Sequence, residues 1–149
     1  ELQGVELVHG APSDDIMRTD RRNLIVVDDM MAEVDKNIVA IFTKKSHHRN
    51  TSILLIVQNL FYRTKELRNI TLNAHVLILT KNPRDKSQIV HLAKQMYPGN
   101  VKFLQEAYRD ATSQPFGYLL LDLTQTTPEH LRLRTHIFPG ERTVVYVPK

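Results

Sequence analysis

Residues 23–29 read NLIVVDD, four consecutive apolar residues followed by two aspartates. A continuous β-branched run of this kind predicts a strand buried on both faces of a parallel sheet, with Asp28 and Asp29 at its carboxyl end. The next residues, 30–42, carry apolar side chains at near-helical spacing and predict a helix. The segment therefore predicts one β-α unit.

The same pattern continues along the chain. After a polar loop over residues 10–22, we expect strands at 52–57, 74–79 and 117–123, helices at 84–96 and 101–112, and a short amphipathic piece ending near residue 68. Pro83 suits the first turn of the helix over 84–96. Residues 143–147 alternate and predict a final strand, antiparallel or at an edge, and residues 5–8 are a candidate short strand. With no internal repeat or linker, residues 1–149 are expected to form a single α/β domain.

Composition narrows the class of protein. A chain of 149 residues has room for one domain and one core. It has no cysteine, which excludes disulfides and thiolate metal sites, and no segment long and apolar enough to cross a membrane. We expect no membrane association, no secretion, and a location in a virion or the host-cell interior. The net charge of +4 is compatible with nucleic acid as a partner, although the absence of Trp and of closely spaced aromatics argues against a stacking platform for single strands.

Three predicted strands end in polar residues. Asp28 and Asp29 end the first, Gln58 and Asn59 the second, and residues 81–84 (KNPR) follow the third. Ligands bind beyond the carboxyl ends of parallel strands, because helix amino termini and loop amides converge there. The sequence therefore predicts one rim that carries carboxylates, amides and basic side chains.

Adjacent acids at the end of a buried strand have two interpretations. In P-loop ATPases the first acid holds Mg²⁺ through water and the second orients or deprotonates the attacking water. Alternatively, Asp28 and Asp29 cap the helix that begins near Met30. Gln58 is likewise either a loop residue or a sensor of the terminal phosphate.

Six segments carry a family resemblance. They are residues 24–31 (LIVVDDMM), 42–50 (FTKKSHHRN), 57–61 (VQNLF), 71–75 (TLNAH), 81–85 (KNPRD) and 95–98 (QMYP). Over about residues 23–140 the chain resembles the genome-packaging ATPases of Polinton (Maverick) elements and adintoviruses. These are relatives of the poxvirus packaging ATPases and of the larger FtsK and HerA class.

The resemblance implies a ring-forming, ATP-driven motor that moves double-stranded DNA into a capsid. It implies a three-layer, mostly parallel sheet of the additional-strand P-loop type, with ATP and Mg²⁺ as cofactors. It assigns Asp28 to Mg²⁺ through water, Asp29 to water activation and Gln58 to sensing the terminal phosphate. Arg49 is the first candidate for an arginine finger acting on a neighbouring subunit's nucleotide, and Arg84 is the second.

The basic loop over residues 44–49 has alternatives. Lys44, Lys45 and Arg49 either approach a neighbouring subunit, contact DNA phosphates, or form a solvated turn. His47 and His48 do not indicate zinc, because adjacent histidines point in different directions and no third ligand lies at a recognised spacing.

The chain departs from the family at the phosphate-binding loop. None of its five glycines belongs to a G-x-x-x-x-G-K-[ST] motif. We therefore expect residues 1–149 to be the carboxy-terminal part of such an ATPase, from the metal-site strand onward, with no ATP turnover of its own. The missing strand would lie between the strands at 52–57 and 74–79. Those two either pair directly, stay open, or accept a strand from an upstream segment or another copy.

Two other functions compete with the motor. The first is a non-catalytic remnant that acts as an oligomerising or DNA-binding domain on its basic surface, with salt-sensitive binding. The second is a metal-dependent nuclease that uses Asp28, Asp29 and Glu33. Nicking of a plasmid that depends on metal and is lost on Asp28→Ala would identify the nuclease.

Overall fold

The computed structural model describes residues 5–10, 22–28, 36–45, 50–61 and 64–149, with the backbone alone at positions 36, 37, 44 and 45. The chain divides into two compact units, Glu1–Asn73 and Ala74–Lys149, which we call the amino-terminal and carboxy-terminal units. The expectation of a single domain over residues 1–149 stays a prediction.

The amino-terminal unit contains two parallel strands. Strand β1 spans Asn23–Val27 and pairs with β2, Thr51–Leu55, in a register that runs from Asn23 opposite Thr51 to Val27 opposite Leu55. Between them lies helix α1, Lys36–Ala40, which continues into a π-type turn over Ile41–Lys45. Helix α2, Lys65–Asn73, follows β2. The predicted parallel pairing of these strands is confirmed.

The β1–β2 sheet buries one face only. Ile25 and Val27 form a small core with Ile41, against which Ile53 and Leu55 pack. The opposite face is exposed and consists of Leu24, Val26, Leu54 and Ile56. The prediction of a strand buried on both faces is therefore wrong for β1, because its side chains alternate between a covered and an uncovered face.

Two further expectations concern this unit. The predicted helix over residues 30–42 is described only from residue 36 onward; its first part lies outside the described residues. Residues 5–8 are exposed coil and form no strand, so that prediction is wrong.

The carboxy-terminal unit is a four-stranded antiparallel sheet with two helices. Its elements are β3 (Val76–Thr80), α3 (Ser87–Met96), α4 (Val101–Ala111), β4 (Tyr118–Asp122), β5 (Leu133–Thr135) and β6 (Val144–Tyr146), with a 3₁₀ turn over Glu129–Leu131. The strand order is β3-β4-β5-β6, and each neighbouring pair is antiparallel. The prediction for the tail is confirmed, since β6 is an antiparallel edge strand.

The prediction of one mostly parallel, three-layer sheet holds only in part: the protein is α/β, with one parallel pair and one antiparallel sheet. The reason lies in the connection between β3 and β4. The chain leaves the carboxyl end of β3, travels out along α3 and returns along α4, so β4 starts where β3 finished. One crossover helix would have returned the chain to the start of β3 and made the strands parallel.

The core of this unit lies between the sheet and the helices. Leu119, Leu121 and Leu133 are almost fully buried, and so are Leu104 and Ala107 of α4. The helix predicted over 101–112 is confirmed. Helix α3 begins at Ser87 rather than near residue 84, so Pro83 lies in a bend before the helix and not in its first turn.

Candidate functional site

The edge of the β1–β2 sheet carries two of the predicted site residues. Asp28 follows the last residue of β1, and Gln58 lies three residues after the end of β2. The ladder continues past the paired residues, because the Ile56 amide donates a 2.9 Å hydrogen bond to the Val27 carbonyl. Since the strands are parallel neighbours, Asp28 and Gln58 both follow strand ends on the same side of the sheet, and both are exposed. We call this side, at the carboxyl ends of β1 and β2, the edge of the β1–β2 sheet.

The two amide residues that follow β2, Gln58 and Asn59, make different contacts. The Asn59 side-chain oxygen accepts a 2.9 Å hydrogen bond from the Phe61 amide and so holds its own loop in an Asx turn. Gln58 also has contacts of its own within the protein. Asn59 thus stabilises the connection, and Gln58 is the exposed amide after β2.

The chemistry of this edge fits Mg²⁺ only as part of a larger complex. Among the described residues, no group of three or more His, Asp or Glu side chains could hold a metal ion. Mg²⁺ in phosphoryl-transfer sites is commonly bound by one or two carboxylates, with waters and substrate phosphates completing the octahedron. Asp28 can provide such a carboxylate; the remaining ligands would come from nucleotide and water.

Several candidate residues lie outside the part of the chain that the structure describes. They are Asp29, Glu33, His47, His48 and Arg49. Lys44 and Lys45 end the π-type turn after α1, with their backbone alone described. Because the residues after Asp28 are also outside the description, the helix-cap interpretation of the aspartates stays open beside the metal interpretation.

The predicted shared rim of three strand ends is wrong in one respect. Strand β3 lies in the antiparallel sheet, so Lys81 and Arg84 follow a strand that is not part of the β1–β2 sheet. Arg84 is exposed, and its amide donates a 3.0 Å hydrogen bond to the Asn82 side-chain oxygen. The structure pairs the strands that precede Asp28 and Gln58 in one sheet and assigns the strand before Arg84 to another.

A polar network in the carboxy-terminal unit was not predicted from the sequence. The Asp122 carboxylate accepts a 2.5 Å hydrogen bond from the Arg134 guanidinium and a 3.0 Å bond from the Thr124 amide. Arg132 donates to Glu129 and to the backbone carbonyls of Asp122 and Thr124. These bonds fasten the β4–β5 connection. The contacts of Asp122 with Thr124 and of Glu129 with Arg132 are local, whereas Arg134 is 12 residues from Asp122 and meets it through the pairing of β4 with β5. No single sequence motif therefore identifies the network.

Two exposed aromatic residues were also missed. Phe116 is 99% exposed in the α4–β4 connection, and Phe138 is 60% exposed after β5. Residues 114–117 read QPFG, a turn-forming composition that was the one available sign of a presented side chain. The register of the sheet, and not the sequence, places both residues at one end of it.

Comparisons of the chain with protein-family models, with curated proteins and with solved structures find no match. In the described part of the chain, no helix combines the length and the apolar character needed to cross a membrane.

Proposed function

We propose that this chain is the carboxy-terminal part of an ATP-driven DNA-packaging motor of the FtsK and HerA class. The observation that carries the proposal is the β1–β2 pair: an acid and a glutamine follow the carboxyl ends of two parallel neighbours. The resemblance of the sequence to additional-strand ATPases implies the same arrangement, with a metal-site strand beside a sensor strand.

The assignment of β2 and β3 to different sheets supports the same proposal. In the additional-strand arrangement, the phosphate-loop strand lies between the sensor strand and the strand that follows it. Strand β2 and strand β3 belong to different sheets here, and within the described residues β2 has β1 as its one partner. A strand added beside β2 would extend a parallel sheet, and a layer over Leu24, Val26 and Leu54 would cover apolar side chains that are now exposed.

The proposed roles follow the chemistry of each side chain. Asp28 binds Mg²⁺ through water, Asp29 activates the attacking water, and Gln58 contacts the terminal phosphate. Arg49, or in second place Arg84, stabilises charge on a neighbouring subunit's nucleotide with its planar, permanently charged donors. The phosphate-binding loop and the Mg²⁺-ligating hydroxyl come from a segment that residues 1–149 do not contain.

The test uses the longest polypeptide that contains these 149 residues, assayed for binding of Mg²⁺-ATP and for phosphate release. Asp29→Asn is expected to lower hydrolysis at least about 100-fold while nucleotide binding persists, because a general base contributes on this order. Asp28→Asn should weaken Mg²⁺-dependent binding. Gln58→Ala should slow hydrolysis with binding retained.

Matched controls separate these roles from general damage. Glu106→Gln removes an exposed acid on α4, and Gln95→Ala removes an exposed amide on α3. Both should retain full hydrolysis. A polypeptide that fails to bind Mg²⁺-ATP, or an Asp29→Asn variant as active as Glu106→Gln, contradicts the motor proposal.

The non-catalytic alternative, a DNA-binding or oligomerising domain, is favoured by one observation. Residues 74–149 contain ten Lys and Arg against six Asp and Glu, whereas residues 1–73 contain ten of each. The whole net charge of +4 therefore belongs to the carboxy-terminal unit. On this alternative, binding to duplex DNA is salt-sensitive, independent of nucleotide and carried by the carboxy-terminal unit. Weaker binding after neutralisation of Lys44, Lys45 and Arg49 would instead assign the contact to the basic loop of the amino-terminal unit that the sequence predicts.

A further inference from the structure

One end of the antiparallel sheet combines basic and aromatic side chains from three loops. It is the end at which β3 finishes and β4 begins, since Thr80 pairs with Tyr118. Antiparallel neighbours lie about 4.7–4.9 Å apart, so the loops that leave Thr80 and enter Tyr118 are adjacent. The chain leaves β5 at the same end, because Thr135 donates a 2.7 Å hydrogen bond to the Tyr118 carbonyl.

The loop after β3 is fixed by hydrogen bonds. The Tyr108 hydroxyl donates to the Thr80 carbonyl at 2.9 Å and accepts from the Asn82 amide at 3.0 Å, which ties α4 to the strand end. The Asn82 side-chain oxygen then accepts from the amides of Arg84 and Asp85. The backbone that carries the basic residues is thus held in one conformation.

Three exposed cations project from this fixed loop: Lys81, Arg84 and Lys86. The one acid among them, Asp85, accepts hydrogen bonds from the Ser87 amide and hydroxyl and from the Gln88 side chain, so its carboxylate is bound by the first two residues of α3. None of the three cations forms an ion pair with a carboxylate of the described residues. Their charges are available to an anionic partner.

Two loops beside the cations present aromatic rings. Phe116 is 99% exposed and adopts φ 60, and His136 after β5 adopts φ 56. Such left-handed conformations are uncommon for residues other than Gly, and they cluster where a side chain has a function. Phe138 is 60% exposed and packs edge-on against Tyr118, with ring centroids 5.9 Å apart.

We propose that this end of the sheet binds single-stranded nucleic acid. Lys81, Arg84 and Lys86 contact phosphates, and unpaired bases stack on Phe116 and Phe138. Exposed aromatic rings beside cations that form no ion pair within the described residues suit single-strand binding, because every base offers a π-face and every nucleotide a charge. A duplex satisfies the cations but keeps its bases stacked within the helix, so it leaves the rings without a partner.

This inference does not rest on the motor proposal, because it needs no ATP; the two proposals share one residue, Arg84, the second candidate for the arginine finger. It also differs from the DNA contact expected at Lys44, Lys45 and Arg49. The absence of Trp and of aromatics closely spaced in the sequence predicts no stacking platform. The sheet register brings Phe116 and Phe138, 22 positions apart in the chain, to one end.

The test measures fluorescence anisotropy of the 149-residue protein with labelled oligothymidylate and oligouridylate of about 12 nucleotides, and with a duplex of equal length. Substitution of the three cations together (K81Q, R84Q and K86Q) should reduce the slope of log affinity against log salt by about 2, since each phosphate contact in a single strand contributes about 0.7. Equal affinity for the two oligonucleotides indicates that either DNA or RNA is bound; a large difference identifies one of them.

The matched control neutralises three exposed lysines at the opposite end of the unit. Lys94 and Lys102 lie near the α3–α4 connection, and Lys149 follows β6. The triple variant K94Q, K102Q and K149Q changes the net charge equally and should keep the salt slope of the parent. If both triple variants lowered the salt slope equally, the loss would be explained by net charge alone, and the proposal would be overturned.

The aromatic residues are tested with Phe116→Leu and Phe138→Leu, which keep apolar bulk and remove the ring. Each should weaken single-strand binding about 5-fold or more, the lower end of base stacking, and leave duplex binding unchanged. Urea unfolding of each variant confirms that it is folded. Tighter binding of duplex than of single strands, unchanged affinity in both Phe variants, or no binding at low salt each refutes the proposal.

Discussion

At the scale of single residues, Asp122 shows how a charge is stabilised inside a sheet. Burial opposes its ionisation, but hydrogen bonds from Thr124 and Thr127 and the Arg134 guanidinium outweigh burial and hold the pKa of Asp122 below its usual value. A lowered pKa means that the ionised form is favoured by folding. The carboxylate therefore contributes to stability wherever it is charged.

Asp122→Asn is expected to lower the free energy of unfolding by about 1 to 3 kcal/mol at neutral pH, because Arg134 loses its charged partner. The contribution of Asp122 is complete above the unfolded pKa of about 4 and is lost as the pH falls through the lower folded pKa. The difference between parent and variant should therefore shrink below about pH 4.

Urea unfolding between about pH 7 and pH 2 measures this difference. Glu106→Gln removes an exposed acid on the neighbouring helix and is the control; its free energy of unfolding at pH 7 should stay within about 0.5 kcal/mol of the parent. A difference between Asp122→Asn and the parent that stays constant to about pH 2 would show that the carboxylate charge is not the cause.

At the scale of elements, the α4–β4 connection depends on a glycine. A Cβ placed on Gly117 would lie 2.4 Å from the Ala111 carbonyl oxygen and 3.0 Å from the Gln114 oxygen, both of them backbone atoms that cannot rotate away. Gly117→Ala is therefore expected to destabilise the protein by about 1 to 3 kcal/mol, the range of overpacked sites.

Gly99→Ala is the matched control, because a Cβ on Gly99 meets open space in the α3–α4 connection. Its effect on the free energy of unfolding should stay within about 0.5 kcal/mol. Both values come from urea titration with a common m-value. A Gly117→Ala variant as stable as Gly99→Ala would mean that the connection rearranges and that the position of Phe116 is not fixed by it.

Most elements could be predicted from the sequence, whereas their pairing could not. The apolar runs of β1, β2, β3 and β4 and the periodicity of α4 are local signals, and each element lies within a few residues of its predicted place. The direction of β4 is decided by the number of helices that precede it. Both helices between β3 and β4 were predicted from the sequence. The prediction of a parallel sheet nevertheless assumed one crossover helix between successive strands, and this assumption gave β4 the wrong direction. Strand β5, three residues long, has too few residues for a periodic pattern.

The candidate sites show the same contrast. The pairing of β1 with β2, and hence the common edge of Asp28 and Gln58, follows from two adjacent apolar runs joined by a helical segment. The cluster of Lys81, Phe116 and Phe138 depends on antiparallel register, which no local pattern encodes. The exposure of Leu24 and Val26 was missed because an apolar run does not reveal how many layers cover a sheet.

In the chain as a whole, the two units differ in the structure that each has for folding independently. The carboxy-terminal unit has four strands, two helices and a core with Leu104, Leu119, Leu121 and Leu133 almost fully buried. The described part of the amino-terminal unit has a two-stranded sheet with one exposed apolar face. Independent stability needs three or more strands with a hydrophobic face, or packing against a helix, whereas an isolated pair of strands is marginal.

We therefore expect residues 74–149 to fold when expressed alone, and to unfold in one cooperative urea transition with an m-value of about 1 kcal/mol/M. Leu121→Ala in this fragment should lower the free energy of unfolding by about 2 to 5 kcal/mol, because Leu121 is fully buried under the helices. Ile78→Ala, on an exposed position of β3, is the control and should cost far less. Circular dichroism and urea titration measure both. A fragment without a cooperative transition would instead support the single domain expected from the sequence, since the antiparallel sheet would then need residues 1–73 to fold.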